Sequence, residues 1–295
     1  MELRLLRYFL ATTEERNITA AARVLRITQP TLSRQLTVLE DELGKKLLIR
    51  GRRKLRLTED GIYFQKHAQE IVTLADKLEH SIKGTSETIH GDVFIGGGES
   101  DAMRLIAQAI KRLRAGYPQV HYHLFSGNAD DVEARLENGL LDFGLLIGPA
   151  DTERYDTLPL PIRDTWGILM RRDHPLANEP AIEAKDLAGI PLIIPERKAN
   201  ARRLKEWAGE DVFSNYDIFA RHNLIFSASL LVSEGAGVAI TLDRLIYTDG
   251  TDLVFRPLFP LLQSELVLIW KKYQAFSPAA RLLMGELRGK LLNQD

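Results

Sequence analysis

The sequence predicts two structural classes joined in one chain. The N-terminus reads as a winged helix-turn-helix, all-α with a small β wing, followed by a long linker helix. The C-terminal remainder reads as an α/β body of two Rossmann-like lobes. Three observations carry this reading. Two short helical patterns meet at a tight turn within residues 17–43. Two short strand patterns rich in arginine follow around Gly51. From residue 92 onward, strand-like and helix-like stretches alternate, which is the rhythm of right-handed βαβ units in a parallel sheet.

In chain order, Leu3, Leu6, Phe9 and Leu10 lie on one stripe and predict a packing helix over residues 3–15. The next pattern is built on Ala20, Ala21, Ala22, Val24 and Leu25, and the third on Leu32, Leu36, Leu39 and Leu43. Thr19 and Thr28 stand where N-caps belong, because a hydroxyl there can accept from the unpaired N–H groups of the first turn. Pro30 falls in that first turn, where a missing N–H costs nothing. The small alanines suit a steep helix crossing, and such a pair of helices is a helix-turn-helix. With its leucines inward, the third pattern turns Gln29, Thr31, Ser33, Arg34, Gln35 and Val38 outward or to its flanks. Arg can bond guanine in bidentate fashion, Gln can bond adenine, and Ser or Thr can serve base or phosphate. Gly44 ends the pattern as a C-terminal glycine.

Strands are expected over residues 47–49 and 55–57, with Arg50, Arg52, Arg53, Lys54 and Arg56 in or beside the loop between them. A basic hairpin directly behind a recognition helix can lie along phosphates or enter the minor groove. Charge supports this division of labour. Residues 1–66 hold 14 of the 39 Lys and Arg and 8 of the 40 Asp and Glu, leaving 25 against 32 in the remainder. A basic end on an acidic body suits a chain that delivers one part to a polyanion. Thr58 then opens a long helix to about residue 83. In it Phe64, Ala68, Ile71, Ala75, Leu78 and Ile82 are separated by 4, 3, 4, 3 and 4 residues, a heptad seam that asks for a partner helix. Dimerisation along it would supply two recognition helices for a two-fold site.

Composition sets the outer bounds. At 295 residues, 45% hydrophobic and 27% charged, the chain suits two or three compact soluble units. The absence of cysteine excludes a disulfide framework and a thiolate zinc site. MELRLLRYFL lacks the run and cleavage site of a signal peptide, and no apolar stretch reaches membrane-spanning length, so the cytoplasm is expected and no membrane partner.

The run TAAARVLRITQPTLSRQLTVLEDELGKKLLIRGRRKLRLTEDG, with a long helix behind it, resembles the LysR-type transcriptional regulators over about 65 residues, and the total length fits as well. The resemblance implies that Gln29, Pro30, Ser33 and Arg34 approach bases and backbone in the major groove and that the basic wing reaches the minor groove. The expected DNA-binding set is Thr28, Gln29, Pro30, Thr31, Ser33, Arg34, Arg50, Arg52, Arg53 and Arg56. It also implies a body like a periplasmic solute-binding protein, with two α/β lobes around an effector cleft. Further implications are a tetramer built as a dimer of dimers, bending of double-stranded DNA at an interrupted inverted repeat, and RNA polymerase as a partner.

Read on its own residues, the body shows strands at 93–96, 120–125 and 143–147 with helices at 101–114 and 130–138 between them. The pattern repeats with strands at 166–170, 192–194, 216–220 and 238–241, helices at 201–207 and 224–233, a strand at 265–270 and a last helix opened by Ser277 and Pro278. The chain is expected to cross between lobes near Pro161 and Ser264, giving domains 1–58, 59–90, 91–161 with 265–295, and 162–264, with residues 84–90 as a hinge. Ligands in open α/β sheets collect at strand carboxyl ends. That rule selects Gly98, Glu99, Ser100, Asp101, Ser126, Asn128, Gly148, Lys198, Asn200 and Asn223. The family resemblance singles out Ser100, at the start of the first helix. Glu99 and Asp101 flank it and would repel an anion unless Arg197, Lys198 or Arg202 answers from across the cleft, so a polar or cationic effector carries equal weight.

Other chemistry finds little footing. Gly96, Gly97 and Gly98 follow a strand, but Asp101 stands where a dinucleotide fingerprint wants glycine, so no cofactor is expected. His121 and His123 share a strand face without a third ligand nearby, so no metal is expected. Walker A, G-x-S-x-G and H-E-x-x-H motifs are absent, leaving catalysis unsupported. The rival reading is a solute-binding or enzymatic α/β protein whose basic domain only anchors it, and that reading predicts no preferred DNA sequence.

Overall fold

A computed structural model describes residues 1–50, 55–82 and 89–292, with the backbone alone for Arg50 and for residues 80–82 and 290–292. Arg52 and Arg53, most of the expected hinge, and the side chains of Arg50 and Ile82 lie outside the described residues. The chain divides into two compact units, Met1–Lys83 and Gly84–Asp295.

The first unit runs α1 (Leu3–Glu15), α2 (Ile18–Val24), α3 (Gln29–Leu43), β1 (Leu48–Arg50), β2 (Leu55–Leu57) and α4 (Glu59–Ile82). Phe9, Ala21, Ala22, Leu32, Leu36 and Leu39 form its buried centre. Ala21 and Ala22 present only methyl groups there, which lets helix backbones approach closely. Val24 and Leu43, expected on the apolar stripes, are exposed, because each lies at the last residue of its helix and beyond the crossing. The cap of α2 is Asn17 and not Thr19: Asn17 Oδ1 accepts from the N–H of Thr19 at 2.8 Å and of Ala20 at 3.0 Å. Thr28 does cap α3, its Oγ1 accepting from Thr31 N. Gly44, at φ 63°, ends α3 in the left-handed region that favours glycine. Thr58 Oγ1 accepts from Gly61 N at 2.9 Å at the start of α4.

The seam on α4 divides. Phe64 meets Phe9 edge-to-face at 5.1 Å, and Ala68 and Val72 pack with Leu6, so the Phe64 and Ala68 end of the expected seam is covered by α1 of the same chain. Ile71 and Leu74, 45% and 48% exposed, continue as an apolar stripe toward Leu78.

The second unit contains β3 (Gly91–Gly97), α5 (Met103–Gly116), β4 (Val120–Ser126), α6 (Ala129–Glu137), β5 (Phe143–Ile147), β6 (Tyr155–Arg171), β7 (Ile182–Glu183), β8 (Pro191–Pro195), α7 (Lys198–Ala208), α8 (Glu210–Phe213), β9 (Asp217–His222), α9 (Ile225–Ser233), β10 (Val238–Leu242), β11 (Leu253–Phe259), β12 (Gln263–Lys271) and α10 (Pro278–Leu292). The strands follow the order β4-β3-β5-β12-β6-β10-β8-β9, with β11 on β6 and β7 on β11. Strand β3 pairs parallel with β4 and β5, and β8 with β9 and β10, one parallel set in each lobe. Runs such as FGLLI and PLIIP are continuously apolar because apolar clusters form on both faces of the sheet in each lobe.

Strand β6 is 17 residues long, against the five expected, and β11 was not expected at all. Near Pro161, where the chain is expected to cross between lobes, β6 runs through Pro159 and Pro161 antiparallel to β12. The pairing shifts between Arg163↔Glu265 and Pro159↔Val267, where Pro161 has no N–H to give the ladder. Strands β6 and β12 thus cross together from lobe to lobe, and Asp164 pairs with Ser264 at the crossing. Helix α10 then returns to the first lobe, with Ala280, Leu283 and Leu287 in its core.

Candidate functional site

On α3 the buried residues are Leu32, Leu36, Leu39 and Glu40, so the opposite face is fixed by the same packing. Gln29, Pro30, Thr31 and Arg34 are exposed and Ser33 and Gln35 half-buried. Thr28 and Thr31 hydroxyls share a 2.7 Å hydrogen bond and serve the cap. Gln29 and Arg34 make no side-chain hydrogen bond or ion pair among the described residues. On the exposed face of its first two turns they are donors and acceptors left over.

Glu40 was not anticipated. Its carboxylate is buried, with Oε1 accepting from Leu47 N at 2.8 Å and Leu48 N at 3.0 Å, and Oε2 accepting from Lys46 Nζ at 2.9 Å. Burial by itself would raise its pKa. The bonds from Lys46 and the Leu48 and Leu47 amides outweigh that and hold the carboxyl below its ordinary value. The recognition helix and the first wing strand are therefore tied by one charged acceptor, with Arg56 exposed on the second wing strand.

In the second unit a cavity of about 630 Å³ opens between the lobes. Its floor is apolar, from Leu145, Ile147, Trp166, Leu242 and Leu245. Of the expected residues, Gly98, Glu99, Asn128, Lys198, Asn200 and Asn223 line it, while Ser100, Asp101, Ser126 and Gly148 do not. Ser100 is buried, its Oγ accepting from Ala102 N at 3.0 Å. Asp101 is drawn to Arg104 at 2.8 Å and Arg244 at 3.7 Å. Ser126 ends the edge strand β4, and Gly148 N donates to Glu265 O at 2.8 Å. The strand-end rule finds the level of a cleft and leaves side-chain direction to packing.

The two walls are bonded to each other. Glu99 Oε2, from the first lobe, accepts from Ile225 N at the head of α9 in the second, at 2.6 Å. Arg197 reaches Asp130 at 3.5 Å, and Arg202, proposed as an answering cation, is instead held by Glu206 at 2.9 Å on its own helix. Asn128 Oδ1 caps α6 through Asp131 N, and Asn223 Oδ1 accepts from Leu224 N.

Trp166 and His222 also line the cavity. Trp166 Nε1 donates to Ser264 Oγ at 2.8 Å, and Arg203 Nη1, from α7, donates to the same oxygen at 3.1 Å. Cavity floor and lobe crossing thus share one hydroxyl, 1% exposed. His222 sits at the end of β9 and would have been found had the strand been drawn two residues longer. Its Nε2 lies 3.2 Å from Ile240 O, and burial lowers its pKa, so it is neutral with the proton on Nε2. His123 is exposed, stacked on Phe94 and bonded to Asp92 Oδ1 at 2.7 Å; among the described residues no cluster is placed to hold a metal. Among them, too, no helix is long and apolar enough to cross a membrane.

Comparison with known proteins follows the same division. Residues 3–62 match the family described as bacterial regulatory helix-turn-helix protein, lysR family, and residues 86–292 match the LysR substrate binding domain. The HTH-type transcriptional regulator BudR of Raoultella terrigena is 30% identical, over 96% of this chain and 99% of its own. The Hca operon transcriptional activator HcaR of Escherichia coli is 29% identical, over 95% of each. Among solved structures, full-length CbnR complexed with its target DNA has TM-score 0.76 at 20% identity, covering 98% of this chain and 99% of that one. HinK, a regulator from Pseudomonas aeruginosa, has TM-score 0.56 at 26% identity, with 98% of each covered.

Proposed function

The chain belongs to the LysR family of bacterial transcriptional regulators, and from that premise we propose how this member reads DNA and is controlled. It is a regulator with a helix-turn-helix DNA-binding domain and an effector-binding domain, and not an enzyme. It works in the cytoplasm as a homo-oligomer, a dimer of dimers. Two copies of α3 read the half-sites of an interrupted inverted repeat, Arg34 and Gln29 bonding base edges and Arg50, Arg52, Arg53 and Arg56 following the backbone or minor groove. Protomers pair along α4 through the stripe of Ile71 and Leu74, with Ala75, Leu78 and Ile82 continuing it.

A small effector enters between Glu99, Asn128, Lys198, Asn200 and Asn223, over Trp166. Closing the cleft moves α7 and the crossing strands together through Arg203, Ser264 and Trp166, and changes the spacing or bend of the bound half-sites, to which RNA polymerase responds. The single observation that supports this most is the unspent pair Gln29 and Arg34 on a helix held by a capped turn and a buried stripe.

The test is a binding series on DNA from upstream of the protein's own gene. Arg34→Ala should weaken binding by about 1–3 kcal/mol and relax sequence preference, whereas Arg52→Ala should weaken all sequences alike and lower the salt slope by about one. Unchanged footprints and slopes in both variants would remove these roles.

A further inference from the structure

Three features bear on the charge that the cleft selects. Glu99 Oε2 already takes the N–H of Ile225, the first residue of the nine-residue helix α9, and it reaches it from the opposite lobe. That N–H is where a ligand carboxylate would gain from both an unpaired donor and the positive end of the helix. His222 lines the same cavity, and because Nε2 gives its proton to the carbonyl of Ile240, its Nδ1 is a bare acceptor, buried and without a partner among the described residues. The charged lining is Glu99, Asp130 and Glu196 against Arg197 and Lys198, and Asp130 and Arg197 are spent on each other. Lys198, at the head of α7, is the lining cation outside that pair, so it is the α9 side of the cavity that offers an incomer acceptors.

We infer that Glu99 is the charge-selecting residue of the α9 side of the cleft: it supplies from within the chain the carboxylate that α9 would otherwise take from a ligand, so this side turns small carboxylates away and accepts an uncharged or cationic group that brings hydrogen-bond donors. An amine or amide N–H suits the second oxygen of Glu99, whereas a carboxylate meets like charge at the Ile225 amide. The inference rests on the reading of this cavity as the effector site and refines it.

The experiment uses the full-length protein and acetate as the probe, against chloride at equal ionic strength. Thermal unfolding and hydrogen exchange of the segment containing the Ile225 amide are followed in the wild type, Glu99→Ala and Glu99→Gln. In the wild type, acetate and chloride should give the same melting temperature. In Glu99→Ala, exchange at Ile225 should quicken roughly tenfold as a bonded amide opens, and acetate should restore both protection and melting temperature. Glu99→Gln keeps an acceptor oxygen and should stay near wild-type protection. Acetate stabilising the wild type as much as the alanine variant overturns the inference, and so does an Ile225 amide indifferent to the loss of Glu99. Should Glu99→Ala fail to fold, Glu99→Asp, one methylene too short to span the cleft, takes its place with the same readouts. Failure of the effector reading looks different: DNA binding would then respond to no small molecule, whatever acetate does at α9.

Discussion

The two candidate sites treat their polar groups in opposite ways. In the first unit the buried carboxylate, Glu40, is fully bonded, and the unspent donors are outside, on Gln29 and Arg34. In the second unit the rim of the cleft is bonded to itself, through Glu99 to Ile225 N and Arg197 to Asp130, and the buried atoms without a partner among the described residues include Asp164 Oδ2 and His222 Nδ1. An exposed donor is solvated and waits at little cost, so the reading face can be rigid and finished before DNA arrives. A buried unpaired atom costs free energy until something satisfies it. On the proposed reading, a ligand in the cleft would exchange these internal bonds for its own, and a change of bonding is what a switch requires.

The largest expected effect tests the finished interior of the first unit. Glu40→Ala leaves the amides of Leu47 and Leu48 without their acceptor and should cost about 3 kcal/mol in urea unfolding of that unit, with DNA affinity falling as the wing loosens. Glu40→Gln, which keeps one acceptor oxygen, should lose less. The folded pKa is depressed, so the stabilisation is present above the ordinary carboxylate value and is lost as pH falls through the folded value. The alanine variant should lack that acid limb. Equal curves for variant and wild type would mean the wing is not hung on this carboxylate.

The unsatisfied interior of the second unit predicts the reverse sign. Asp164, 6% exposed, has its pKa raised to about 6 by burial, with Asp101 and Asp243 adding to the shift and the Ser100 hydroxyl opposing it. A carboxyl raised in the folded state binds more protons folded than unfolded, so its cost is absent near pH 4, grows between pH 4 and 6, and is complete above about 6. Asp164→Asn removes that cost and should stabilise the unit by about 2 kcal/mol at pH 8 and by nothing at pH 4, read from denaturant midpoints at the two pH values. A gain that does not depend on pH would assign the effect to packing and erase the contrast with Glu40.

The same contrast explains what was legible beforehand. The stripe of Leu32, Leu36 and Leu39, the Thr28 cap and Gly44 are coded within one helix and its neighbours, so spacing alone places the outward face of α3. Glu40 escaped because its partners lie seven and eight residues on, in the wing. Heptad spacing on α4 is indifferent to whether α1 or another chain covers it, and so it misassigned Phe64 and Ala68. The cleft was legible only as a level in the sheet. Strand ends brought Glu99, Asn128 and Lys198 to it, while Ser100 is buried with its Oγ on the Ala102 amide. Trp166 carries no local mark at all, being one apolar residue inside a long strand.

The smallest effect concerns how the reading face is held, and it turns on two neighbouring residues. Residues of cap type stand at both 17 and 19, and only the geometry separates them: Asn17 is extended, φ −156° and ψ 121°, with Oδ1 on two first-turn amides, whereas Thr19 is already inside α2. A cap acts from outside the helix, where its side chain replaces the partner the first turn lacks. Asn17→Ala should therefore cost about 1 kcal/mol in unfolding of the first unit, and Thr19→Ala less than about 0.5 kcal/mol. Both positions are exposed and neither belongs to the core, so lost packing cannot imitate the difference. Because α2 packs directly on α3, affinity for DNA should fall for Asn17→Ala only to the extent that the folded fraction falls; a larger loss would show that Asn17 itself touches DNA, and the division between groups that hold the face and groups that read would have to be redrawn.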